Sequence, residues 1–271
     1  METAPARGTE IGATAIQIFT KTPNQWREPR IDKGEAERFR AALGQSRIRA
    51  VVSHDSYLIN LASPVPALRA RSINSFKSEL TRCRVLGVPY VVTHPGNYMD
   101  ERAPGLVRNA AAYEQCLAAV PGPDILIETT AGAGTALGAT FEELAALRDR
   151  VRPELQDRIG FCADTCHLHA AGYDLVNDWG GVWREWDETV GLEHLKCLHL
   201  NDSVTAFGSR RDRHALIGEG TMGPEPFRNA MRDPRFAGVI KIIETPKGDD
   251  AAATDRRMLR RLRAYHSSKR S

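Results

Sequence analysis

The sequence has few cysteines and no long apolar run, and both scarcities narrow its class. There are 5 cysteines among 271 residues, an odd number, and they lie within apolar or helical stretches. This pattern favours reduced thiols in a cytosolic protein over a disulfide framework. A basic-plus-apolar leader and an uninterrupted apolar run of about 18 residues are both lacking, so we expect neither export nor a membrane-spanning helix.

A strong excess of one charge is lacking too. The formal net charge is +3, with an isoelectric point near 8.6. This balance permits an anionic partner but lacks the basic tail of a dedicated nucleic-acid-binding segment. We find no low-complexity linker and no short-period repeat. With 42% hydrophobic residues, the chain can bury a sizeable core, and we expect a single domain over residues 1–271.

Short apolar runs alternate with longer amphipathic stretches along the chain. This alternation is typical of βα units around a parallel sheet, and the length suits one α/β barrel, so we predict a TIM (β/α)₈-type barrel. The predicted strands are residues 13–19, 49–54, 90–94, 124–129, 159–164, 197–202 and 238–245. The predicted helices include residues 34–44, 66–87, 141–151, 224–233 and 254–266.

Six of the predicted strands end on, or close to, a side chain that can bind a metal. These side chains are His54, His94, Glu128, Asp164, His199 and Glu244. Because the carboxyl ends of barrel strands converge on one face, we expect all of them to point into one pocket. Each has an ordinary alternative, such as helix capping by Asp164, but six coincidences at one strand position favour a metal site. Nitrogen and oxygen donors of this kind suit Zn²⁺ or Mn²⁺.

Three further donors follow in loops. His167 comes three residues after Asp164, and Asp212 and His214 lie two apart in a segment where both project to one side if it is extended. We expect these three to complete another site. No metal role is assigned to the remaining histidines, His169, His194 and His266, and Cys162 and Cys166 are assigned to barrel packing.

Motifs along nearly the whole chain carry a family resemblance. They are HDSYLINL (54–61), THPG (93–96), IETTAGAGTALG (127–138), CADTCHLHAAGYD (162–174), HLNDSVTAFGSRRDRHALIGEG (199–220) and IIET (242–245). Together they resemble the endonuclease IV family of apurinic/apyrimidinic endonucleases. The resemblance implies a TIM barrel with a trinuclear zinc site that hydrolyses the phosphodiester 5′ to an abasic site in duplex DNA. The expected product is a nick with a 3′-hydroxyl and a 5′-deoxyribose phosphate.

The resemblance also implies how the donors divide among three zinc ions, with Mn²⁺ possible in part. The three sets are His54, His94 and Glu128; Glu128, Asp164, His199 and Glu244; and His167, Asp212 and His214. Glu128, shared by the first two sets, is the expected catalytic carboxylate. Divalent metals lower the pKa of bound water and stabilise charge on phosphate oxygens, so no protein base has to abstract the proton outright.

Contacts with DNA are implied at the rim of the pocket. Tyr57 and Leu58 are expected to fill the gap left by a flipped nucleotide, which lowers the unstacking cost; their ordinary alternative is packing on the barrel end. Asn24 lies in a second DNA-contacting loop, where some family members carry an arginine. Flanking the third set are arginines expected to contact phosphates, namely Arg210, Arg211 and Arg213.

The start of the chain departs from the family. The resemblance begins within the family's first helix, so we expect a barrel lacking its first strand, with unpaired edges at 13–19 and 238–245 and Met1 as an internal start. Two other functions stay open. One is a sugar isomerase or epimerase-like TIM barrel, which typically needs one or two metals, so the third set favours the nuclease. The other is an inactive, truncated DNA-binding remnant. We expect a cytoplasmic monomer that associates with the nucleoid through DNA.

Overall fold

The architecture is a parallel sheet wrapped by helices, and the structure, a computed structural model, describes residues 1–267. The strands are β1 (Ala15–Ile18), β2 (Ala50–His54), β3 (Tyr90–Thr93), β4 (Asp124–Glu128), β5 (Ile159–Asp164), β6 (Leu195–His199), β7 (Asp202–Ser203), β8 (His214–Ala215) and β9 (Ile240–Ile242). Seven of them form one sheet in the order β1-β2-β3-β4-β5-β6-β9, and β7 and β8 form a separate antiparallel pair. This confirms the predicted barrel-like fold of seven parallel strands.

Helices follow the strands and cover the outside of the sheet. They are α1 (Ala4–Glu10), α2 (Lys33–Gly44), α3 (Pro66–Leu86), α4 (Arg102–Ala119), α5 (Phe141–Asp149), α6 (Pro153–Gln156), α7 (Thr165–Ala171), α8 (Trp179–Thr189), α9 (Glu225–Arg232) and α10 (Ala251–Ser267). Within the described residues, none of these helices is long and apolar enough to cross a membrane.

Local signals account for several helix ends. The side chain of Asp32 accepts a hydrogen bond from Glu35 N at the start of α2, and Thr140 does the same from Glu143 N at the start of α5. Gly87 ends α3 in the left-handed region with φ of 78°. The five predicted helices are present, with ends shifted by a few residues.

Helices α1, α4, α6, α7 and α8 lie outside the five predicted ranges. In α4, a buried face recurs at Leu106, Ala110, Tyr113 and Leu117, which is the spacing of an amphipathic helix. The signal was therefore present in the sequence. Pro104 in the first turn is compatible with a helix start, because the backbone nitrogens of the first turn have no intrahelical acceptor to lose.

The barrel interior is built in layers. Its floor is a cluster of buried side chains, Val52, Val92, Leu126, Cys162, Cys197 and Ile242. Each of them lies two residues before one of the six predicted strand-end donors, and residues two apart on a strand face the same side. The donors therefore form the layer directly above this floor, on the carboxyl face of the barrel.

The barrel is nearly closed, with a seam between its two edge strands, β1 and β9. At the top of the seam, Gln17 Nε2 lies 2.6 Å from Glu244 Oε1. Below that contact is a groove of about 340 Å³ that is lined by Ala15 of β1, Lys241 of β9 and Leu259 of α10, among others. The expected unpaired edges are thus present, but side-chain contacts bridge them.

Candidate metal centre

The donors on the carboxyl face gather into three groups. Within each group the ligand atoms lie within 4.8 Å of one another. The groups are His54, His94 and Glu128; Glu128, Asp164, His199 and Glu244; and His167, Asp212 and His214. The fold therefore brings together all nine residues that the sequence singled out, from the carboxyl ends of six barrel strands and from the segments after β5 and β6.

Glu128 is the centre of the arrangement and is 1% exposed. Its Oε2 lies 3.0 Å from His54 Nε2 and 3.3 Å from His94 Nε2. Its Oε1 lies 3.0 Å from His199 Nδ1. Each carboxylate oxygen thus faces histidines of a different group, an arrangement that suits a bridging carboxylate.

Hydrogen bonds to acceptor oxygens orient four of the histidines. The Nδ1 atoms of His54 and His167 donate to the carbonyls of Asp55 at 3.0 Å and Thr129 at 2.8 Å. His214 Nδ1 donates to the Glu244 carbonyl at 3.2 Å, and His199 Nε2 donates to Gln17 Oε1 at 2.8 Å. These oxygens can only accept, so the ring nitrogen beside each of them carries the proton. The opposite ring nitrogen faces the centre with its lone pair, as in metal-binding histidines.

The donors of the centre are arranged to face positive charge. His214 Nε2 is buried with no hydrogen-bond partner in the described chain, and it lies 3.1 Å from Asp212 Oδ1 and 3.7 Å from Asp164 Oδ2. A nitrogen lone pair among carboxylate oxygens is unfavourable unless a proton or a metal ion lies between them. The donor set, imidazole nitrogens with carboxylate oxygens at close range, fits divalent metals such as Zn²⁺ or Mn²⁺.

The pKa shifts within the centre have the same electrostatic cause. Burial alone would lower the pKa of His54, but its hydrogen bond to Glu128 and the charge of Glu128 raise it to about 9. Burial alone would raise the pKa of Glu244, but the charge of His199 and the hydrogen bond with it bring it to about 2. Burial likewise opposes ionisation of Glu128, yet the charges of His199 and His94 hold its pKa well below the usual value. Glu128 and Glu244 thus stay ionised in the interior because imidazoles that can carry a positive charge face them.

Comparisons with known proteins agree with this geometry. A family model described as a xylose isomerase-like TIM barrel matches residues 6–262. A relative named "Probable endonuclease 4" from Chloroflexus aggregans is 49% identical over 265 residues, which are 96% of this chain and 91% of the relative. The chain belongs to the endonuclease IV family. A "Probable endonuclease 4" from Geobacter sulfurreducens is 46% identical over 252 residues, 91% of this chain and 84% of the relative.

Solved structures with the same barrel fold differ widely in their sequence identity to this chain. The crystal structure of endonuclease IV from Thermus thermophilus has a TM-score of 0.86 and 37% identity, and covers 97% of this chain and 93% of that chain. A D-psicose 3-epimerase from Clostridium cellulolyticum has a TM-score of 0.72 but only 15% identity, over 98% of this chain and 94% of that chain. The epimerase shares the barrel fold alone.

In this endonuclease IV family member, Asp164 combines two tasks. Its Oδ1 accepts a hydrogen bond from His167 N at 2.9 Å and so caps α7, and its Oδ2 accepts from Asn201 Nδ2 at 2.6 Å. The ordinary explanation, helix capping, is therefore compatible with a place in the centre. The cap also fixes the first turn of α7, which carries His167 to the third group.

The antiparallel pair β7 and β8 brings the long loop back to the centre. Ser203 pairs with His214 in this ladder. As a result, the ten-residue loop 204–213 brings His214 back to the barrel mouth. Asp212, near the end of this loop, lies beside it, and 51% of the Asp212 side chain is exposed. The loop apex places Arg210, Arg211 and Arg213 in solvent.

Sequence reasoning missed two side chains of the centre, Gln17 and Asn201. Gln17 contacts both Glu244 and His199 from β1. Asn201 Oδ1 accepts from Glu244 N at 2.8 Å while its amide binds Asp164. The period of the first strand could have revealed Gln17, because it lies two residues beyond the inward-facing Ala15. Asn201 lies in the motif HLND, which carried no assigned role.

Most of the histidines and cysteines that were given no metal role lie outside the three donor groups and their immediate surroundings. His169 Nε2 lies 3.3 Å from Thr221 Oγ1, and its ring packs 5.5 Å from that of Phe207. His194 faces Glu193, and His266 Nδ1 contacts the Met231 carbonyl. Of the cysteines, Cys162 lies in the barrel floor, and Cys166 Sγ is grouped with ligand atoms of Asp164 and His214.

The rim residues expected to contact DNA differ in exposure. Tyr57 is 56% exposed, with its ring centroid 5.8 Å from that of His54 and 5.6 Å from that of Phe19. Leu58 beside it is half-buried, and Asn24 is exposed. A cavity of about 300 Å³ opens between Tyr57, His94 and Asp212. An exposed aromatic ring thus stands at the mouth of the centre.

A buried ionic network anchors the loop that carries Asn24. Glu79 of α3 accepts hydrogen bonds from Thr20 Oγ1, Ser53 Oγ and Arg82 Nη2, each at 2.6 Å. Arg82 also contacts Glu28 at 2.6 Å. Ser53 directly precedes His54, so one carboxylate links the rim loop to the strand end that carries a donor.

Proposed function

We propose that this protein is a zinc-dependent endonuclease that hydrolyses the phosphodiester 5′ to abasic sites in duplex DNA, leaving a 3′-hydroxyl and a 5′-deoxyribose phosphate. The observation that carries the proposal is the set of three donor groups, two of which share Glu128. Membership of the endonuclease IV family supports it, since relatives at 49% identity are named as probable endonucleases 4.

Each group has a task in this proposal. Bound divalent cations would supply Lewis acidity toward the phosphate and lower the pKa of a coordinated water. Glu128 would set the spacing of two cations, because its two oxygens face two groups. The third group, His167, Asp212 and His214, would hold the third cation at the end of the pocket where the arginines of the loop lie.

The rim would select the substrate. A missing base leaves a gap in the duplex, and an aromatic side chain can enter that gap at low cost because no stacked base has to be displaced. Tyr57 is exposed at the pocket mouth and supports this role, with Leu58 as the apolar neighbour. Arg210, Arg211 and Arg213 are exposed and free of carboxylate ion pairs within the described residues, so they are available to contact phosphates.

The sugar isomerase or epimerase function is less well supported. Such enzymes typically use one or two metals, and the third group has no task in that chemistry. The identity to solved epimerases is low, at 15% for one of them. An inactive remnant is disfavoured by the presence of all nine donors, because an unused centre has no need of them.

The deciding experiment compares two DNA duplexes. One carries a single abasic analogue in a labelled strand, and the other has the same sequence without damage. We expect nicking at the analogue only, with the label position identifying cleavage on the 5′ side. Absence of nicking by protein with full metal content, or equal nicking of both duplexes, would contradict the proposal.

Metal content is the companion measurement. Elemental analysis of the purified, folded protein should find about three zinc ions per chain, one for each donor group. One or two metals per chain, combined with turnover of a ketose substrate, would instead support the isomerase. The His214→Ala variant should lose about one metal and keep the remainder, since among the three donor groups His214 belongs to the third only.

A further inference from the structure

Two cysteines lie together in the barrel floor, one layer below the metal centre. Cys162 of β5 and Cys197 of β6 are opposed in the parallel register, and both are fully buried. Their sulfur atoms and one ring nitrogen of His199 all lie within 4.8 Å of one another. The other floor positions, Val52, Val92, Leu126 and Ile242, carry hydrocarbon side chains.

This trio differs in chemistry from the three groups above it. Those groups offer imidazole and carboxylate, which suit borderline and hard cations, whereas two thiolates with one imidazole favour softer, thiophilic cations such as Cd²⁺ or Cu⁺ over Zn²⁺. If the two cysteines served only to pack the hydrocarbon floor, they would not need an imidazole beside them. The packing role expected for Cys162 is met, but packing does not require sulfur at two facing positions.

His199 belongs to both sets. Its Nε2 donates to Gln17, so Nδ1 is the nitrogen that keeps a lone pair, and that atom lies 3.0 Å from Glu128 Oε1 and 3.2 Å from Glu244 Oε2. A cation held with the sulfur atoms would therefore compete for Nδ1 with a cation held by Glu128 and Glu244.

We propose that Cys162, Cys197 and His199 form a separate coordination site, selective for thiophilic cations, whose occupation removes His199 from the catalytic centre. The site makes the protein sensitive to cadmium-like ions by a route separate from simple replacement of zinc at the carboxylate groups. The coordination site itself does not depend on the proposed nuclease function, since it is defined by metal binding.

The test uses the zinc-loaded protein titrated with Cd²⁺ alone. Sulfur-to-cadmium charge transfer gives an ultraviolet absorption that histidine and carboxylate ligands do not produce. We expect this band to appear at one equivalent together with release of zinc, detected with a chromogenic chelator. Absence of the band in the parent protein would overturn the proposal, whatever the effect of Cd²⁺ on DNA nicking.

Variants assign the band to particular sulfur atoms. Cys162→Val and Cys197→Val restore hydrocarbon to the floor, and each should lose the band; Cys197→Ala serves if the larger residue impairs folding, as checked by melting. Two controls should keep it. Cys116→Val removes a buried thiol in α4 that faces the Ile73 carbonyl, and Cys166→Ala removes the other thiol near the centre. A band that persists without Cys197, or disappears without Cys166, would overturn the assignment.

Discussion

Gln17 and Glu244 face each other across the seam of the barrel, with Gln17 Nε2 2.6 Å from Glu244 Oε1. The same glutamine accepts a hydrogen bond from His199 Nε2 at 2.8 Å, which leaves Nδ1 of that histidine turned toward Glu128. One amide therefore fixes both a carboxylate and an imidazole of the second donor group. It does so from β1, an edge strand that supplies none of the nine donors.

We predict that Gln17→Leu weakens metal retention at the second group. The substitution removes the hydrogen bond that fixes the tautomer and orientation of the His199 ring. Loss of such a partner typically costs about 10- to 100-fold in metal affinity or activity. The measurement is zinc content during dialysis against a chelator, together with kcat on abasic duplex. Gln45→Leu, at the exposed end of α2, is the matched control. Equal zinc loss from both variants would show that Gln17 has no positioning role.

Glu128→Gln should abolish cleavage and leave affinity for DNA largely intact. The amide keeps the shape of the side chain but cannot present two anionic oxygens to two cations, while Tyr57 and the arginine loop are unchanged. Nicking rates and electrophoretic mobility shifts on the same duplex separate the two properties. Glu142→Gln, exposed in the first turn of α5, is the control and should behave as the parent. Turnover near the parent rate in Glu128→Gln would remove the bridging role.

Tyr57→Ala should reduce the preference for abasic over intact duplex. The ring is 56% exposed, so its loss affects gap filling more than packing. We expect affinity for the abasic duplex to fall by about 1–3 kcal/mol, the range found for stacking of an aromatic side chain on a base, with little change for intact DNA. Competition binding with the two duplexes measures this. Val107→Ala, which shortens an exposed side chain on α4, should have no effect. An unchanged preference in Tyr57→Ala would contradict gap filling.

The buried network around Glu79 should be important for stability. Glu79→Gln takes the negative charge away from Arg82, which is buried and lies 2.6 Å from it. Removing one partner of a buried ion pair typically costs about 3–5 kcal/mol of unfolding free energy, and retention of the Glu28 contact places the expected loss at the lower end. Urea unfolding measures the change. Glu37→Gln, whose partner Lys33 is exposed, should be neutral. A neutral Glu79→Gln would mean that solvent or neighbouring groups compensate.

The seam between β1 and β9 should limit the thermal stability of the barrel. Within the part of the chain that the structure describes, one edge of β1 and one of β9 have no strand partner in the sheet. Adding one strand and its loop upstream of Met1 should raise the melting temperature, because each buried backbone group that gains a partner recovers about 1–3 kcal/mol. An extension of equal length made of glycine and serine is the control. If both forms melt together, the side-chain contacts across the seam already stabilise the barrel sufficiently.

Much of this molecule follows from local pattern alone. Short apolar runs revealed the seven barrel strands, because a strand that is buried on both faces needs apolar residues at nearly every position. The donors were visible for the same reason, since a histidine or carboxylate two residues beyond a buried Val52 or Leu126 must share its inward face. Family motifs then divided those donors into sets that the fold brings within 4.8 Å.

Contacts between distant segments were decided only by the tertiary structure. The contact of Gln17 with Glu244 joins residues 227 positions apart, and the opposition of Cys162 and Cys197 depends on the register of two strands. Neither partnership can be read from the local sequence, because the strand period shows that Gln17 or Cys162 faces inward but not which side chain it meets. Closure of the sheet determines which side chains meet, and closure is a property of all seven strands together.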